Sequence, residues 1–348
     1  MRAITAVPGQ RGSVGVDEVS EPADDVGAVL VRGLLMGVCG TDREIAEGGY
    51  GEPPAGESKL IIGHEGLGEV LEAPAESGFR AGDLVVGIVR RPDPVPCPAC
   101  AAGEWDMCRN DQFSERGIVR RHGYGSEQWR VEPDFALAIP TTLGELGVLL
   151  EPTSVLAKAW DQVDRISQRA FFTRHRALVT GAGPIGLLAC LLGVQRGYEV
   201  HVVDLATEGP KRDLVEALGA HYHVGDAADV GAEVDVVIEC TGLGAVARSA
   251  AQRVVSGGII CLTGIMNVEP HLDVDSTAGN RRLVLNNGVL FGTVNAGRRH
   301  WEQAVDALAS ADPTWLGAMI TRRVPMARWP EALDRRPDDI KVVVDLTA

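Results

Sequence analysis

The run Ala177-Leu178-Val179-Thr180 leads into Gly181-Ala182-Gly183-Pro184-Ile185-Gly186 and then into an apolar stretch from Leu187 to Gln195. An apolar strand, a G-x-G-x-x-G turn and a helix in this order leave the chain few folds to choose from. Gly181 allows the tight turn, Gly183 lets the backbone approach a pyrophosphate, and Gly186 lets helix and strand pack closely. The start of the helix, with Pro184 and Ile185, offers free N–H groups and partial positive charge to phosphates. Asp204 closes the next strand, Val200 to Asp204, 23 residues after Gly181. A carboxylate there accepts hydrogen bonds from the ribose hydroxyls and opposes a 2′-phosphate by up to about 4 kcal/mol at 4 Å and an effective dielectric near 20. NAD is therefore expected over NADP, a preference that Lys211 and Arg212 could soften; the alternative for Asp204 is a solvated carboxylate at a strand end. Lys211 and Thr241 join the cofactor-binding candidates.

Strand and helix continue to alternate. A helix near Lys211–Leu218, a strand Asp235–Glu239, a helix near Ala245–Val254 and a strand Gly258–Leu262 imply right-handed crossovers and a doubly wound parallel sheet. The first 150 residues instead show short β-rich runs between Gly and Pro turns, around Gly27–Leu35, Gly66–Leu71 and Gly82–Val89, which predicts a mostly antiparallel, partly barrelled β domain. A helix carrying Leu156, Ala159, Trp160, Val163 and Ile166 on one face connects the two. After Asn295 come a helix, Arg299–Ala309, and a last strand, Ile340–Leu346, read most simply as a return to the first domain. The expected class is α/β, with residues 1–155 and 296–348 in the β-rich domain and 156–295 in the nucleotide-binding one.

Composition bounds the function. A length of 348 residues suits two domains, and 45% hydrophobic with 23% charged residues describes a globular chain. The 42 Gly are scattered at turns, without a repeat. A net charge of −15 disfavours nucleic acid and anionic lipid as partners. The N-terminus is broken by Pro8-Gly9 before a signal-peptide core could form, and no apolar run approaches the ~18–20 residues of a membrane span; a cytoplasmic location is expected. Only four of the 33 basic residues are lysines, Lys59, Lys158, Lys211 and Lys341, a bias that fits a GC-rich coding sequence or, for the acidity alone, adaptation to salt.

Seven cysteines do not suggest a disulfide framework, because three of them stand at metal-ligand spacing. Cys97-Pro98-Ala99-Cys100 and Cys108 lie in a Pro-rich loop of the kind pinned by a structural zinc, with Asp93, four residues before Cys97, as the candidate fourth ligand. A second, dispersed set comprises Cys39, His64, Glu65 and Glu151. Thiolate, imidazole and carboxylate together hold zinc with one position open for water or substrate. An open zinc would lower the pKa of an alcohol while hydride leaves carbon for a nicotinamide.

These residues resemble the zinc-dependent medium-chain alcohol dehydrogenases, and within them the glucose 1-dehydrogenases. The general likeness rests on Gly37-Val38-Cys39-Gly40-Thr41-Asp42, Gly63-His64-Glu65, the Cys97/Cys100/Cys108 lobe and the Gly181 turn. The narrower one rests on Gly40 to Ile45, Ser114-Glu115-Arg116-Gly117-Ile118, Glu151-Pro152-Thr153-Ser154 and Val294-Asn295-Ala296. The resemblance implies a GroES-like β-rich catalytic domain beside a Rossmann domain. It implies that Cys39 and His64 bind a catalytic zinc, that Glu65 is a ligand or lies just behind one, and that Glu151 approaches the metal or the sugar. Thr41 would pass the substrate proton toward solvent; Glu115 and Asn295 would hydrogen-bond sugar hydroxyls, Asn295 beside the nicotinamide. One departure stands out: Pro94 occupies the place of the first cysteine of the usual four-cysteine lobe.

The expected activity is oxidation of a glucose-like aldose at C1 to the lactone. A cyclitol, amino-cyclitol or other secondary alcohol is the enzymatic alternative, and a non-catalytic nucleotide-binding protein the reading from another class. A blander reading of Glu115 pairs it at the surface with Arg116 or Arg120. A homodimer or homotetramer is expected through the apolar sheet edge near Ala245–Leu262 and Leu283–Phe291.

Overall fold

Ten residues, Val29–Val38, form the strand on which the first unit is built, and their alternate positions Val29, Val31, Gly33 and Leu35 turn inward. In a computed structural model describing residues 1–171, 175–265 and 277–348, the chain divides into two compact units. One comprises Met1–Ser154 and Asn295–Ala348, the other Val155–Val294.

In the first unit Val29–Val38 pairs antiparallel with Glu65–Glu72 and with Lys341–Asp345. The sheet continues through Leu84–Gly87 and Ala136–Ala138 on one side, and Ile320–Pro325, added parallel, on the other. Met36, Val38 and Ile62 pack with Val324, Trp329, Val342 and Val344, so the late segments share one core with the early ones. Arg90–Arg91 and Ser114–Arg116 form another antiparallel pair, which Glu132 braces through Arg91 and Arg116. That carboxylate takes Arg91 Nη2 at 2.8 Å and Arg121 Nη1 at 2.9 Å, with Arg116 Nη2 at 3.6 Å.

The second unit carries six parallel strands: Arg176–Thr180, Glu199–Asp204, His221–Val224, Val234–Glu239, Val254–Leu262 and Val289–Gly292. Counted by appearance they lie in the order 3-2-1-4-5-6, the doubly wound order of dinucleotide-binding sheets. Besides the strand His221–Val224, which the sequence reading lacks, two boundaries differ instructively. The helix Gly244–Ala251 stops short of Val254, which instead opens a strand; Val254-Val255 is a β-branched pair, and such residues fit a pleated sheet better than a helical turn. The helix Pro184–Gln195 begins three residues earlier than its apolar run, at Pro184, where a missing N–H costs nothing. Among the described residues no helix is long and apolar enough to cross a membrane.

Burial raises the carboxyl of Glu132, but the hydrogen bond and charge of Arg91 and the charge of Arg116 prevail and hold its pKa down to about 2. The pKa is depressed on folding, so Glu132 stabilises the fold fully above pH 4.5, and this contribution disappears as pH falls toward 2. We expect Glu132→Gln to lower unfolding stability at pH 7 by roughly 3 kcal/mol, since it leaves the buried guanidinium of Arg91 without its carboxylate. Urea titrations from pH 7 to pH 2 check both points: the gap between wild type and variant should close on acidification, and a gap that stays constant would refute the assignment.

Candidate functional site

Strand Val29–Val38 delivers Cys39 to the start of the helix Gly40–Ala46. There the thiol accepts the Thr41 N–H at 3.3 Å, while the Asp42 carboxylate takes the Cys39 N–H at 2.9 Å, which fixes the thiol's direction. Thr41 itself is half-buried in the first turn. His64 precedes the strand Glu65–Glu72 and sets its Nε2 3.0 Å from Cys39 Sγ. Donor atoms of Cys39, His64 and Glu65 all lie within 4.8 Å of one another. Behind them, fully buried Asp42 directs Oδ1 toward His64 Nδ1 at 3.6 Å, and Glu65 is ion-paired with Lys341, both side chains 1% exposed. Gly37 makes room for that pair, because a Cβ there would overlap the Glu65 carboxylate.

Glu151 stands in the first turn of the helix Leu150–Ser167. Burial pushes its carboxyl up to about 7, opposed by the charges of His64 and Lys341 and reinforced by those of Glu65 and Asp42. Asp42 is likewise raised by burial, against the pull of His64. The thiol and three carboxyl groups share this buried space with the Lys341 ammonium and the His64 imidazole, and the buried Asp42 Oδ1 and His64 Nδ1 have no hydrogen-bond partner. The sulfur, nitrogen and oxygen donors of Cys39, His64 and Glu65 converge closely enough to hold a divalent cation, and that donor set suits zinc.

Cys97, Cys100 and Cys108 form a second group with all three sulfur atoms within 4.8 Å. Hydrogen bonds from the Cys100 and Arg109 N–H groups, at 3.5 and 3.3 Å, lower the Cys97 thiol to about 7. Asp93 does not join the group. Its oxygens are occupied by the Val95 N–H at 2.8 Å and Asn110 Nδ2 at 2.7 Å, so it pins the Pro-rich loop from behind.

Glu115 and Asn295, far apart in sequence, meet. Asn295 Nδ2 donates to Glu115 Oε1 at 2.8 Å, and Arg90 Nη2 is 2.9 Å from the same oxygen. The carboxylate is buried and its ionic partner is Arg90, which corrects the surface pairing with Arg116 or Arg120: Arg116 turns to Glu132, and Arg120 to Glu52. Asn295 has φ of +58°, a left-handed conformation that asparagine tolerates better than most residues.

In the second unit Gly181 has φ of +85°, Gly183 caps the helix Pro184–Gln195, and Ile185 sits in its first turn. A Cβ on Gly186 would collide with the Gly181 carbonyl oxygen, whereas one on Gly183 would meet nothing, leaving the open approach that a pyrophosphate needs. Asp204 lies against this turn: Oδ2 accepts the Ala182 N–H at 2.6 Å, Oδ1 accepts the Ala206 N–H at 3.0 Å, and Lys211 Nζ is 4.0 Å from Oδ1. Thr241 gives its N–H and its hydroxyl to the buried carboxylate of Glu239. The strand-end carboxylate and the open glycine turn fit a dinucleotide.

Sequence reasoning assigned nothing to Asp42 or Lys341, although both back the metal donors. A signal existed for the lysine: it is one of four in the chain and interrupts the apolar run Ile340–Val344. The comparisons agree with the geometry. Residues 25–141 match the model of the alcohol dehydrogenase GroES-like domain, and residues 144–346 that of the glucose dehydrogenase C-terminus. A glucose 1-dehydrogenase of Methanocella arvoryzae is 40% identical over the full length of both chains, and one of Thermoproteus tenax 38% identical over 99% of both. The solved structure of Haloferax mediterranei glucose dehydrogenase in complex with NADP, Zn and gluconolactone superposes with a TM-score of 0.90 at 31% identity, covering 99% of each chain. With both family models in place along one chain, the protein belongs to the glucose dehydrogenase family of zinc-dependent medium-chain alcohol dehydrogenases, oxidoreductases that use NAD or NADP.

Proposed function

We propose that this chain oxidises glucose, or an aldose close to it, at C1 to the lactone, passing hydride to a nicotinamide cofactor. The observation that carries this reading is the buried pair Glu115–Asn295. A carboxylate already fixed by Arg90 and an amide in a fixed backbone conformation suit a polyhydroxylated substrate, since a ligand without hydroxyls would leave such groups unpaired.

Zinc held by these residues would supply Lewis acidity toward the substrate hydroxyl, and a bound nicotinamide would be the hydride acceptor. Cys39 and His64 hold the metal, with Glu65 or Glu151 as the acidic donor. Asp42 stands behind the His64 ring on its Nδ1 side, and Lys341 pairs with Glu65 inside the core. Thr41, beside the thiol, carries the substrate proton toward solvent. Gly181, Gly183, Pro184, Ile185 and Gly186 receive the pyrophosphate; Lys211 and Thr241 complete the cofactor contacts of this unit. Asp204 binds the ribose hydroxyls, from which we infer NAD in preference to NADP. The Haloferax relative was solved with NADP, so the carboxylate of Asp204 is the feature on which this preference rests. Cys97, Cys100 and Cys108 take a second, structural zinc, with Asp93 hydrogen-bonded to the surrounding loop outside the group of three thiols. The chain acts in the cytoplasm as a homodimer or homotetramer.

Steady-state turnover on a panel of aldoses and cyclitols with both cofactors tests the activity; a cyclitol turned over a hundredfold faster than glucose would overturn it. Asp204→Ala should shift the kcat/KM ratio toward NADP by about 10- to 100-fold, which corresponds to roughly 1.4–3 kcal/mol, and an unchanged ratio would remove Asp204 from ribose recognition. Cys39→Ser should lose one zinc per chain by metal analysis while retaining the other, and kcat should fall by at least about a thousandfold. Full zinc content in this variant would place the catalytic metal elsewhere.

A further inference from the structure

Four of the chain's eight histidines cluster in the second unit: His175, His201 and His221 around one carboxylate, Glu199, and His223 against His201. None of them belongs to the nucleotide site. The strands Arg176–Thr180, Glu199–Asp204 and His221–Val224 are neighbours, with Arg176 opposite Glu199 and His201 opposite His221, so side chains 199, 201, 221 and 223 share a face. His201 Nε2 lies 3.3 Å and His221 Nε2 3.8 Å from the same Glu199 Oε1, and His175 Nε2 is 3.9 Å from Oε2. Donors around a tetrahedral ion with bonds of about 2.0–2.2 Å stand roughly 3.3–3.6 Å apart, so each imidazole is near that spacing from Glu199 Oε1, and the two imidazoles would draw toward each other around a bound ion.

The central imidazole points to a ligand. His201 is only 9% exposed, and its Nε2, for all its closeness to Glu199, is a buried nitrogen without a hydrogen bond. Its other nitrogen, Nδ1, is 2.9 Å from His223 Nε2. A histidine that binds metal through one nitrogen commonly donates the N–H of the other to a fixed acceptor, and His223 stands where that acceptor belongs. The His201 ring is stacked between those of His221 and His223, at centroid distances of 4.9 and 5.1 Å. Burial and the neighbouring imidazoles lower the pKa of His201, and burial and His221 that of His223; neutral imidazole is the form that binds metal. Arg176 Nε, 3.0 Å from Glu199 Oε2, engages the second oxygen and leaves Oε1 for the ion.

We propose that Glu199, His201 and His221 form a further transition-metal site, completed by His175 or water, that takes a borderline divalent ion such as Ni2+ or Zn2+. Imidazole and carboxylate donors suit such ions over Ca2+ or Mg2+. The ion would tie the edge strand His221–Val224 to its neighbour. It lies toward the starting ends of the strands, whereas Asp204 closes its strand three residues beyond His201, so cofactor binding is undisturbed.

The test uses the full-length chain without an affinity tag and with its zinc complement loaded, titrated with Ni2+ by calorimetry at pH 7.5. One additional equivalent should bind, and Ni2+ should raise the melting temperature. His221→Ala, at an exposed position, should weaken that binding at least tenfold and abolish the shift, while zinc content and glucose turnover match wild type; His175→Ala/His221→Ala should weaken it at least as much. No additional equivalent, or an equivalent bound as tightly by His221→Ala as by wild type, would overturn the proposal. Nickel that binds only as zinc leaves, read by metal analysis, would overturn it as well.

Discussion

A buried carboxylate facing a buried ammonium organises the first unit. Glu65 and Lys341 are each almost completely inaccessible, and either one alone would be an uncompensated charge in an apolar core, a defect of about 3–5 kcal/mol. The pair forces several choices around it. Residue 37 must be glycine, since any side chain would occupy the carboxylate's place. The strand Lys341–Asp345 must lie beside Val29–Val38, which brings Val342 opposite Val38 and Val343 opposite Gly37. Glu65 is thereby held next to His64 and Cys39, so the candidate metal donors are backed by a strand that begins just over three hundred residues after the cysteine.

Arginine does most of the remaining ionic work. Glu132 gathers Arg91, Arg116 and Arg121, and Glu115 is fixed by Arg90. The planar fork of a guanidinium can serve a carboxylate and a carbonyl at once, as Arg91 does with Glu132 and the Ile88 carbonyl. Lys341 meets a similar pair of acceptors, Glu65 and the Val38 carbonyl, with a compact charge in place of a planar fork.

Features governed by local chemistry were legible in the sequence. The Gly181 turn, the strand ending at Asp204 and the thiols of Cys97, Cys100 and Cys108 announce themselves because spacing along the chain decides the contact. The approach of Cys39 to His64 was inferred from residue types, and the structure brings the donors together. What escaped depends on contacts between distant segments. Asp42 reads as part of a motif until His64 is seen beside it. Asp93 looked like a ligand from its distance along the loop, yet Asn110 and the Val95 N–H claim its oxygens. The strand His221–Val224, made of polar and half-exposed residues, has no apolar alternation to reveal it.

The order in which a ribosome makes this chain follows from the division of its units. The second unit, Val155–Val294, is complete before any residue of the segment Asn295–Ala348 exists. It can fold as synthesis proceeds, as domains generally do. Through that interval Glu65 is without Lys341 and Glu115 without Asn295, so neither group has the partner that holds it in the finished protein. The unit that holds Cys39, His64 and Glu65 therefore begins first and finishes last, and a ribosome that stalls in the middle third releases a chain in which Glu65 is buried, if at all, without its ammonium.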